Sequence, residues 1–258
     1  MIRHRAYAKV NIFLKITGTR YEYHTISSRF MRVTSLFDTL WFEKKSTPDF
    51  EIRGKFDCEV HSNTIYKAYK HLLAATHSDK LSQWMETHAI CVDKKIPSFA
   101  GLGGGSSDAA TFLHMCNDEL ELELSIDTLA EIGANIGADV PFFIYGYESA
   151  NVSGIGEIVK KFDEKPLDIE IVTPAIQIST PDVYNYYRKH LFKPISANEA
   201  ARLEAISSKE ILTTMDPKMA NDLYPAALAS YPQLSEKEGW FFSGSGSSFF
   251  RLKEHNHG

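Results

Sequence analysis

Residues Pro97–Ala110 read Pro-Ser-Phe-Ala-Gly-Leu-Gly-Gly-Gly-Ser-Ser-Asp-Ala-Ala, the most informative stretch of the sequence. Four of the five residues from Gly101 to Gly105 are glycines. Glycine adopts backbone conformations that a Cβ forbids, so we expect a positive φ in this run, for instance at Gly104. The bare amide groups of such a loop can surround a bound anion.

An apolar helix is predicted directly after the glycines. Ser106, Ser107 and Asp108 have side chains that cap helices. The inner side of the helix would carry Ala109, Ala110, Leu113, Met115 and Cys116. A helix N-terminus offers unpaired amides and a partial positive charge, which favour phosphate. A flexible Gly-Ser connector is the alternative, but a connector rarely leads straight into a capped apolar helix. The stretch therefore predicts a phosphate-binding loop.

Three other glycine-rich loops do not fit. A Walker loop requires Gly-Lys-Ser/Thr after its glycines, whereas Ser106 follows Gly105 here. A dinucleotide-binding loop requires a third glycine or alanine at position 106, which is serine. A protein-kinase loop is accompanied by His-Arg-Asp and Asp-Phe-Gly elements, and the sequence contains neither.

The composition is that of a globular protein with a core of ordinary size. Hydrophobic residues make up 43% and charged residues 24% of the 258 residues. The net charge of −5 argues against a general nucleic-acid binder, and no apolar run has membrane-spanning length. Cys58, Cys91 and Cys116 are widely spaced and are interpreted as reduced core thiols. We expect a cytoplasmic protein with no nucleic-acid or membrane partner.

A half-buried strand is predicted near the N-terminus because apolar and polar residues alternate there. Lys9 and Asn11 share its polar side, about 7 Å apart at ~3.3 Å per residue. From the pattern alone, a solvent-exposed strand lysine is the more ordinary interpretation of Lys9.

Asp139 lies at a predicted junction. Residues 125–137 have helical spacing, and Val140 precedes Pro141, which favours an extended backbone. A strand from Phe142 to Tyr145 is therefore predicted after the helix. Small and apolar residues flank Asp139, so its carboxylate would be poorly solvated. A turn-forming aspartate bonded to its own backbone and a functional carboxylate both remain open at this point.

Other elements are predicted from periodicity and cap residues. Residues 63–77 predict a helix capped by Asn63, and Thr180 is predicted to cap a later helix. Residues 48–60 predict a hairpin.

Two charged residues receive ordinary structural interpretations. Asp38 is a plausible turn former. Lys94, just before the glycine loop, is predicted to face solvent. Near a nucleotide it would instead meet phosphate or ribose.

The glycine loop strongly resembles the second motif of the GHMP kinases, the superfamily of galactokinase, homoserine kinase and mevalonate kinase. Ala8–Leu14 is similar to the first motif of that superfamily, and Phe241–Phe250 is similar to the third. Gly137–Phe143 closely resembles the segment that carries the proposed catalytic base. The resemblance covers nearly the whole chain.

Within the superfamily, the chain looks most like one branch of the non-mevalonate isoprenoid pathway. The substrate of that branch is 2-C-methyl-D-erythritol carrying a cytidine diphosphate group. The form of the glycine loop carries this likeness, as do Tyr23 and His24. Glu22 departs from the branch, which has glycine before its Tyr-His pair. The replacement could alter the turn but leaves Tyr23 and His24 in place.

The resemblance implies an α+β GHMP kinase fold of two domains, with the nucleotide in the cleft between them. Residues 1–150 would form the ATP-binding domain, similar to ribosomal S5 domain 2. Residues 151–258 would form a ferredoxin-like domain. Because His255–Gly258 follows the third motif closely, we expect the chain to lack part or all of the terminal helix of longer members.

The resemblance also implies the reaction. The γ-phosphoryl group of ATP would pass to the 2-hydroxyl of the cytidyl substrate. Asp139 would take the proton from that hydroxyl, and Lys9 beside it would keep the carboxylate ionised. Mg²⁺ would bridge phosphate oxygens, with Ser107 as a candidate ligand. The residues expected to bind ATP are Pro97, Ser98, Phe99, Ala100, Gly101, Leu102, Gly103, Gly104, Gly105, Ser106 and Ser107.

Four residues are expected to bind the substrate. Asn11 lies on the same strand face as the catalytic lysine. Tyr23 and Tyr184 would sandwich the cytosine, as the matching aromatic positions do in the family. His24 would meet the polar edge of the base.

Two rival functions remain open. Another GHMP kinase would act on a small alcohol such as homoserine or mevalonate, and the presence of Tyr23 and His24 argues against it. A catalytically inactive member would bind nucleotide or sugar as a regulator. The presence of both Lys9 and Asp139 argues against that function.

Overall fold

The computed structural model describes residues 2–253, so the prediction made for His255–Gly258 lies outside the described residues. The chain is mixed α and β, as expected. Its strands are β1 (His4–Arg20), β2 (Tyr23–Lys44), β3 (Ile52–Arg53), β4 (His88–Asp93), β5 (Ser149–Gly154), β6 (Ile158–Lys161), β7 (Ile169–Val172), β8 (Phe241–Phe242) and β9 (Phe249–Leu252). Its α-helices are α1 (Thr64–Thr76), α2 (Asp79–Thr87), α3 (Gly104–Glu119), α4 (Ile126–Ala134), α5 (Val140–Tyr145), α6 (Thr180–His190), α7 (Ala197–Ala205), α8 (Ser208–Thr214), α9 (Pro217–Ala220) and α10 (Tyr224–Ser230).

The chain groups into two compact units that are not contiguous in sequence. The first unit contains the residues up to Ala8, Thr34–Ser98 and Gly103–Gly146. The second contains Lys9–Val33, Phe99–Leu102 and the residues from Tyr147 onward. A single cut near residue 151 does not describe this grouping, because Lys9–Val33 packs with the later part of the chain. The division into family domains 1–150 and 151–258 stays a prediction.

In the first unit, helices surround a mostly antiparallel group of strands. The second half of β2 pairs antiparallel with β4, from Thr39 opposite Asp93 to Lys44 opposite His88. Helices α1, α3, α4 and α5 pack on one another. Their apolar sides bury the core of this unit, which includes Leu40, Ile65, Leu72, Ile90, Phe112, Leu113, Val140 and Ile144.

The second unit contains two groups of antiparallel strands. The first half of β2 pairs with β5, from Ile26 opposite Gly154 to Met31 opposite Ser149, and β5 pairs with β6. Strands β7, β9 and β8 form a separate three-stranded sheet. The core of this unit includes Leu14, Ile16, Val183, Leu223, Tyr224, Phe242 and Phe249.

Strand β1 is buried on both faces, which corrects the half-buried strand predicted from alternation. Every residue from Ala8 to Leu14 is buried, including Lys9 and Asn11. Polar side chains are stable in such a place when they bond to one another. The polar residues of β1 therefore mark an interior site and not a solvent-facing side.

The helix N-termini follow local signals. The Asn63 side chain caps α1 as predicted, accepting the Ile65 amide at 2.9 Å. Ser125 caps α4 through the Thr128 amide. The cap of α6 is Ser179 and not Thr180, which is the first residue inside that helix. A run of consecutive hydroxyl residues predicts a helix start to within one residue.

Two predicted β elements are wrong. Val140–Tyr145 forms helix α5, with Pro141 in its first turn, in place of the predicted strand. Proline fits the first turn of a helix because its missing N–H has no partner there in any case. The hairpin predicted for residues 48–60 is replaced by β3, which is two residues long and pairs in parallel with β4.

The three cysteines are free thiols. Cys91 and Cys116 are buried as predicted, and burial raises the pKa of the Cys116 thiol. Cys58 is exposed and is therefore not the core thiol that was expected. Among residues 2–253, no helix combines the length and apolar character needed to cross a membrane.

Candidate functional site

The glycine loop ends at the start of α3, in the first unit. Helix α3 begins at Gly104, and its cap residue Gly103 has φ +71° and no side chain that could cap the helix. The prediction that Ser106, Ser107 and Asp108 cap the helix is therefore wrong, because all three lie inside it. The first amides of α3 are left without a side-chain partner, which is the arrangement that binds phosphate.

Close packing explains the glycines at this helix start. A Cβ on Gly104 would lie 2.8 Å from the Ile96 Cγ2 atom. The Thr64 hydroxyl donates to the Gly105 carbonyl at 2.6 Å, and a Cβ on Gly105 would lie 3.2 Å from that hydroxyl. The positive φ angles fall at Gly101 and Gly103, so the positive φ expected at Gly104 is corrected.

The remainder of the glycine loop, Phe99–Leu102, packs within the second unit against the loop Ser243–Ser248. The Ser248 amide donates to the Ala100 carbonyl at 3.1 Å, and the Ser243 hydroxyl donates to the Gly101 carbonyl at 3.0 Å. Gly101 has φ +72°, and a Cβ there would lie 2.1 Å from the Ser243 carbonyl oxygen. The third-motif loop thus fixes the path of the phosphate-loop backbone, and no side chain fits at Gly101.

Lys9 and Asn11 form a buried polar pair in the second unit. The Lys9 Nζ donates to the Asn11 Oδ1 at 2.6 Å, and the two residues are 3% and 2% exposed. The Asn11 Nδ2 donates in turn to the Ser28 hydroxyl at 3.0 Å, and the Lys9 amide donates to the Leu102 carbonyl at 2.9 Å. The ordinary interpretation of Lys9 as a solvent-exposed strand residue is excluded. A buried ammonium is stable only among polar partners, so Lys9 marks an interior polar site in the second unit.

Asp139 is the residue immediately before α5, in the first unit. Its φ and ψ are −81° and −14°, and its side chain does not cap the helix. Gly137 lies beside the first turn of α3, because a Cβ on it would come 3.8 Å from the Ser106 hydroxyl. The junction that carries Asp139 therefore adjoins the predicted phosphate-binding helix end.

His24 and Tyr184 meet in the second unit. Their ring centroids are 5.2 Å apart, and Tyr187 and Phe192 also pack on the His24 ring. His24 is 6% exposed, and its Nε2 atom is buried without a hydrogen-bond partner. Burial, with a smaller effect of Arg188, lowers the pKa of the imidazole, so the ring is neutral at pH 7. Tyr23, the next residue along β2, is 62% exposed.

The turn before Tyr23 accommodates Glu22 without strain at that residue. The positive φ of the turn, +54°, belongs to Tyr21 and not to Glu22. Arg188 donates to the Glu22 carbonyl at 2.9 Å and lies 3.7 Å from its carboxylate. Glutamate at this position therefore leaves the turn intact, and Arg188 holds the turn through the Glu22 backbone carbonyl.

Sequence reasoning missed a buried ion cluster in the first unit. The Lys94 ammonium donates to the carboxylates of Asp38 and Asp108, and the Asp38 side chain also accepts the Lys95 and Ile96 amides. Asp38 is fully buried within β2, so its interpretation as a turn residue is wrong. The prediction that Lys94 faces solvent is wrong as well, because its side chain is 13% exposed.

The electrostatics of this cluster reflect two carboxylates sharing one ammonium. Burial raises the pKa of Asp108 to about 7, against the attraction of Lys94. The pKa of Lys94 is also raised, because its two carboxylate partners outweigh the effect of burial. The Asp108 Oδ1 atom is buried without a hydrogen-bond partner. The cluster therefore takes up a proton more readily than an exposed aspartate does.

Asn221 holds the third-motif loop through its side-chain amide. Its Nδ2 donates to the Phe242 carbonyl at 3.0 Å and to the Gly244 carbonyl at 2.8 Å. One amide side chain thus holds both sides of the entry into the third-motif loop. These hydrogen bonds join residues that are distant in the sequence, so a single sequence does not reveal them.

A dedicated metal cluster is absent from the described part of the chain, where no group of three or more His, Cys, Asp or Glu residues is placed to hold an ion. Mg²⁺ needs no such cluster, because it commonly binds through one or two protein ligands, water and substrate phosphates. Ser107, 2% exposed in the first turn of α3, fits the role of an oxygen ligand beside a phosphate.

Comparisons with known proteins agree with this geometry. Residues 63–147 match the family described as GHMP kinases N terminal domain. A relative from Sulfurimonas denitrificans, called 4-diphosphocytidyl-2-C-methyl-D-erythritol kinase, is 56% identical over 97% of this chain and 97% of its own. A relative of the same name from Sulfurovum sp. is 49% identical over 96% of this chain and 98% of its own. A crystal structure of 4-(cytidine 5'-diphospho)-2C-methyl-D-erythritol kinase superposes with a TM-score of 0.76 at 30% identity, covering 98% of this chain and 90% of that one. The expected GHMP kinase fold is confirmed.

The contact of Gly101 with Ser243 predicts a large cost for a methyl group. Gly239 is a matched control because its φ of +74° is close to the +72° of Gly101, while a Cβ there would meet nothing within 4 Å. Gly239→Ala should lower the free energy of unfolding by roughly 1–2 kcal/mol, the cost of a left-handed residue. Gly101→Ala should lower it clearly further. Urea unfolding of the two variants measures the difference, and equal losses would contradict the contact.

The raised pKa of Asp108 predicts the direction of a pH effect on stability. Between pH 4 and pH 7 the folded chain retains a proton on Asp108 that the unfolded chain has lost, because the folded pKa is about 7. The stability from this group is full below pH 4 and is lost as the pH rises through 7. Urea unfolding across this range should show wild type losing stability relative to Asp108→Asn. The exposed Asp118→Asn change is the control, and parallel profiles for wild type and Asp108→Asn would contradict the assignment.

Proposed function

The chain belongs to the 4-diphosphocytidyl-2-C-methyl-D-erythritol kinases, a family of GHMP kinases, and we propose that it transfers the γ-phosphoryl group of ATP to the 2-hydroxyl of 4-diphosphocytidyl-2-C-methyl-D-erythritol. One observation carries this proposal: a relative bearing that activity in its name is 56% identical over 97% of the chain. The proposal places the enzyme in the cytoplasm, in the non-mevalonate isoprenoid pathway.

The phosphate groups of ATP would be held by backbone amides. The uncapped start of α3 supports this role, as do the glycines packed against Ile96, Thr64 and Ser243, where a side chain would be crowded. Mg²⁺ would neutralise phosphate charge, with Ser107 as a protein ligand. Phosphoryl transfer depends mainly on positioning and charge neutralisation, and both can come from a rigid loop of amides.

The proton of the acceptor hydroxyl would go to Asp139, and Lys9 would stabilise charge at the reacting groups. Asp139 is the residue immediately before α5, and its side chain is not used to cap that helix. Lys9 is buried and oriented by Asn11, so its ammonium does not need to be ordered during the reaction. A base and a cation that are already in place lower the barrier without a reorganisation cost.

The cytidine diphosphate group would serve as a handle that positions the reacting hydroxyl. His24 supports this role through its neutral ring and its Nε2 atom, which has no partner in the folded chain. Hydrogen bonds from the His24 ring or backbone to the base edge would select cytosine, because stacking alone accepts any base. Tyr184 packs at the His24 ring and Tyr23 is exposed beside it, so both are available to stack on the base.

A coupled assay of ADP release tests the proposed function directly. Purified protein with ATP and Mg²⁺ should release ADP rapidly when 4-diphosphocytidyl-2-C-methyl-D-erythritol is added. Homoserine, mevalonate and the erythritol phosphate without its cytidyl group should leave the rate at background. Equal rates with a small alcohol would replace the proposal with a broader GHMP kinase activity, and no release with any acceptor would favour an inactive nucleotide-binding protein.

Replacing Asp139 tests the proposed base. Asp139→Asn should lower kcat by about 10²-fold or more, the range for a positioned general base, while ATP still binds. Asp163→Asn, at a side chain that is 99% exposed, is the matched control and should be silent. Steady-state kinetics and nucleotide titration are measured together. Near-normal kcat in a folded Asp139→Asn protein would remove Asp139 from the mechanism.

Replacing Tyr23 tests the cytidine handle. A base stacked on an aromatic ring gains ~1–3 kcal/mol, so Tyr23→Ala should weaken binding of the cytidyl substrate by about 10-fold or more. ATP affinity should change little. Tyr21→Ala is the control, because Tyr21 is 92% exposed two residues away. If both alanine variants bind the cytidyl substrate as wild type does, Tyr23 has no part in recognising the base.

A further inference from the structure

The second unit contains a cavity that none of the predicted active-site residues lines. It has a volume of about 680 Å³ and lies among the end of α6, the segment 191–196, α7 and α9. We refer to it as the α7–α9 groove. Cavities of this size hold small organic ligands, which occupy ~300–1,000 Å³ in proteins.

The charges of the groove are unbalanced. Its lining contains four cations and two carboxylates, namely Lys15, Lys193, Arg202, Lys218, Glu199 and Asp222. Lys15 is paired with Asp222, and Lys218 is paired with Glu236 outside the lining at 2.6 Å. Within residues 2–253, Lys193 and Arg202 have no ion-pair partner. The groove is therefore locally positive in a chain whose net charge is −5.

Glu199 is hydrogen-bonded within its own helix and forms no ion pair with either cation among residues 2–253. Its carboxylate accepts the Ser196 amide at 2.9 Å and the Ser196 hydroxyl at 2.8 Å, in the capping box of α7. These hydrogen bonds, with smaller effects of Lys15 and Lys193, lower the pKa of Glu199. A carboxylate held by its own helix cap is not free to turn toward Arg202. Lys193 and Arg202 can therefore bind an anionic ligand.

The walls of the groove are apolar. They are formed by Leu191, Leu203, Ile206, Met215, Met219 and Pro225. Two of these residues are unusually exposed for their type, Met219 at 64% and Leu191 at 38%. Methionine adapts its shape to a ligand, and exposed apolar side chains beside a cavity are typical of binding sites.

From this combination, we propose that the α7–α9 groove is a second small-molecule site, which binds a soluble anionic amphiphile. A phosphate or carboxylate head would bind Lys193 and Arg202, and an apolar chain would lie along Leu203, Met215 and Met219. The two cations alone would hold an inorganic anion weakly at an exposed site. The apolar walls supply the additional binding free energy through burial of the chain.

The groove contacts residues that also support the predicted substrate residues. The Tyr187 hydroxyl donates to the Lys193 carbonyl and accepts the Lys193 amide, both at 3.2 Å, while its ring lies 5.9 Å from the His24 ring. Asn221, in the groove lining, holds the Gly244 carbonyl of the third-motif loop. A ligand bound to Lys193 therefore contacts a segment fixed directly to the His24 pocket, and an effect on the KM of the cytidyl substrate is expected.

Calorimetric titration of the full chain with octyl phosphate, below its micelle concentration, tests the site. Octyl phosphate should bind at one site per chain, and inorganic phosphate and octanol should each bind much more weakly. Saturation with a non-hydrolysable ATP analogue should leave the titration unchanged. Displacement by the analogue would place the binding in the phosphate loop and overturn the proposal.

Charge reversal then locates the site. Lys193→Glu/Arg202→Glu should weaken octyl phosphate by about 10-fold or more, because it removes two charge-assisted contacts. Lys189→Glu/Lys209→Glu changes the net charge equally at exposed lysines outside the groove and should have little effect. Met219→Asp, at an exposed position, tests the apolar wall independently if the double variant is poorly folded, and it should also weaken binding.

Three further outcomes would overturn the proposal. Equal losses in the two double variants would mean that only overall charge matters. Equal affinity for inorganic phosphate and octyl phosphate would mean that the apolar walls take no part. Association with vesicles of phosphatidylglycerol, without a titration by octyl phosphate, would identify a membrane surface as the occupant. Basal kinase activity of the Lys193→Glu/Arg202→Glu variant should persist, so failure of this site and failure of the proposed reaction are separable.

Discussion

The bonds of Lys94 are the constraint on which the first unit depends. Lys94 lies just before the glycine loop. Its ammonium donates to Asp108, just after the loop, and to Asp38 in the middle of β2. A loop whose two ends are tied together loses much of its conformational freedom before any ligand arrives. The cost is the burial of two carboxyl groups beside one ammonium, and this burial raises the pKa of Asp108. Rigidity of the loop is therefore obtained from buried charge and not from side chains in the loop itself.

A parallel arrangement holds the loop in the second unit. The Ser243–Ser248 segment bonds to Ala100 and Gly101, and Asn221 holds that segment from its other side. The chain of contacts continues through Asn11 to Lys9, since the Asn11 amide donates to the Ser243 hydroxyl at 3.4 Å. The proposed catalytic lysine and the loop backbone consequently share one network of hydrogen bonds, and a displacement of either affects the other.

Local signals carried most of what the sequence predicted correctly. Asn63 identified the start of α1 because a cap acts over two or three residues. The glycine loop could be predicted because the residues that define it are adjacent in the sequence. The predictions for Asp38, Lys94 and Asp108 were wrong for the opposite reason. The hydrogen bonds that join these residues span 56 and 14 positions, and each residue alone resembles a surface residue. The contact of Ser243 with Gly101 spans 142 positions, and only the folded chain reveals it. The strand predicted after Pro141 was wrong because the prediction relied on the extended backbone that proline favours in the preceding residue. Proline also fits the first turn of a helix, and this second property decides the structure here.

The uncapped start of α3 has a consequence for how the protein uses its ligand. A serine, threonine or aspartate cap satisfies one of the first amides of a helix through its side chain, and Gly103 supplies no side chain to do so. In the proposed function, a phosphate group bound at this end of the helix would take the place of the missing cap. Binding would then stabilise the start of α3, so the bound molecule would be a structural component of the first unit as well as a reactant.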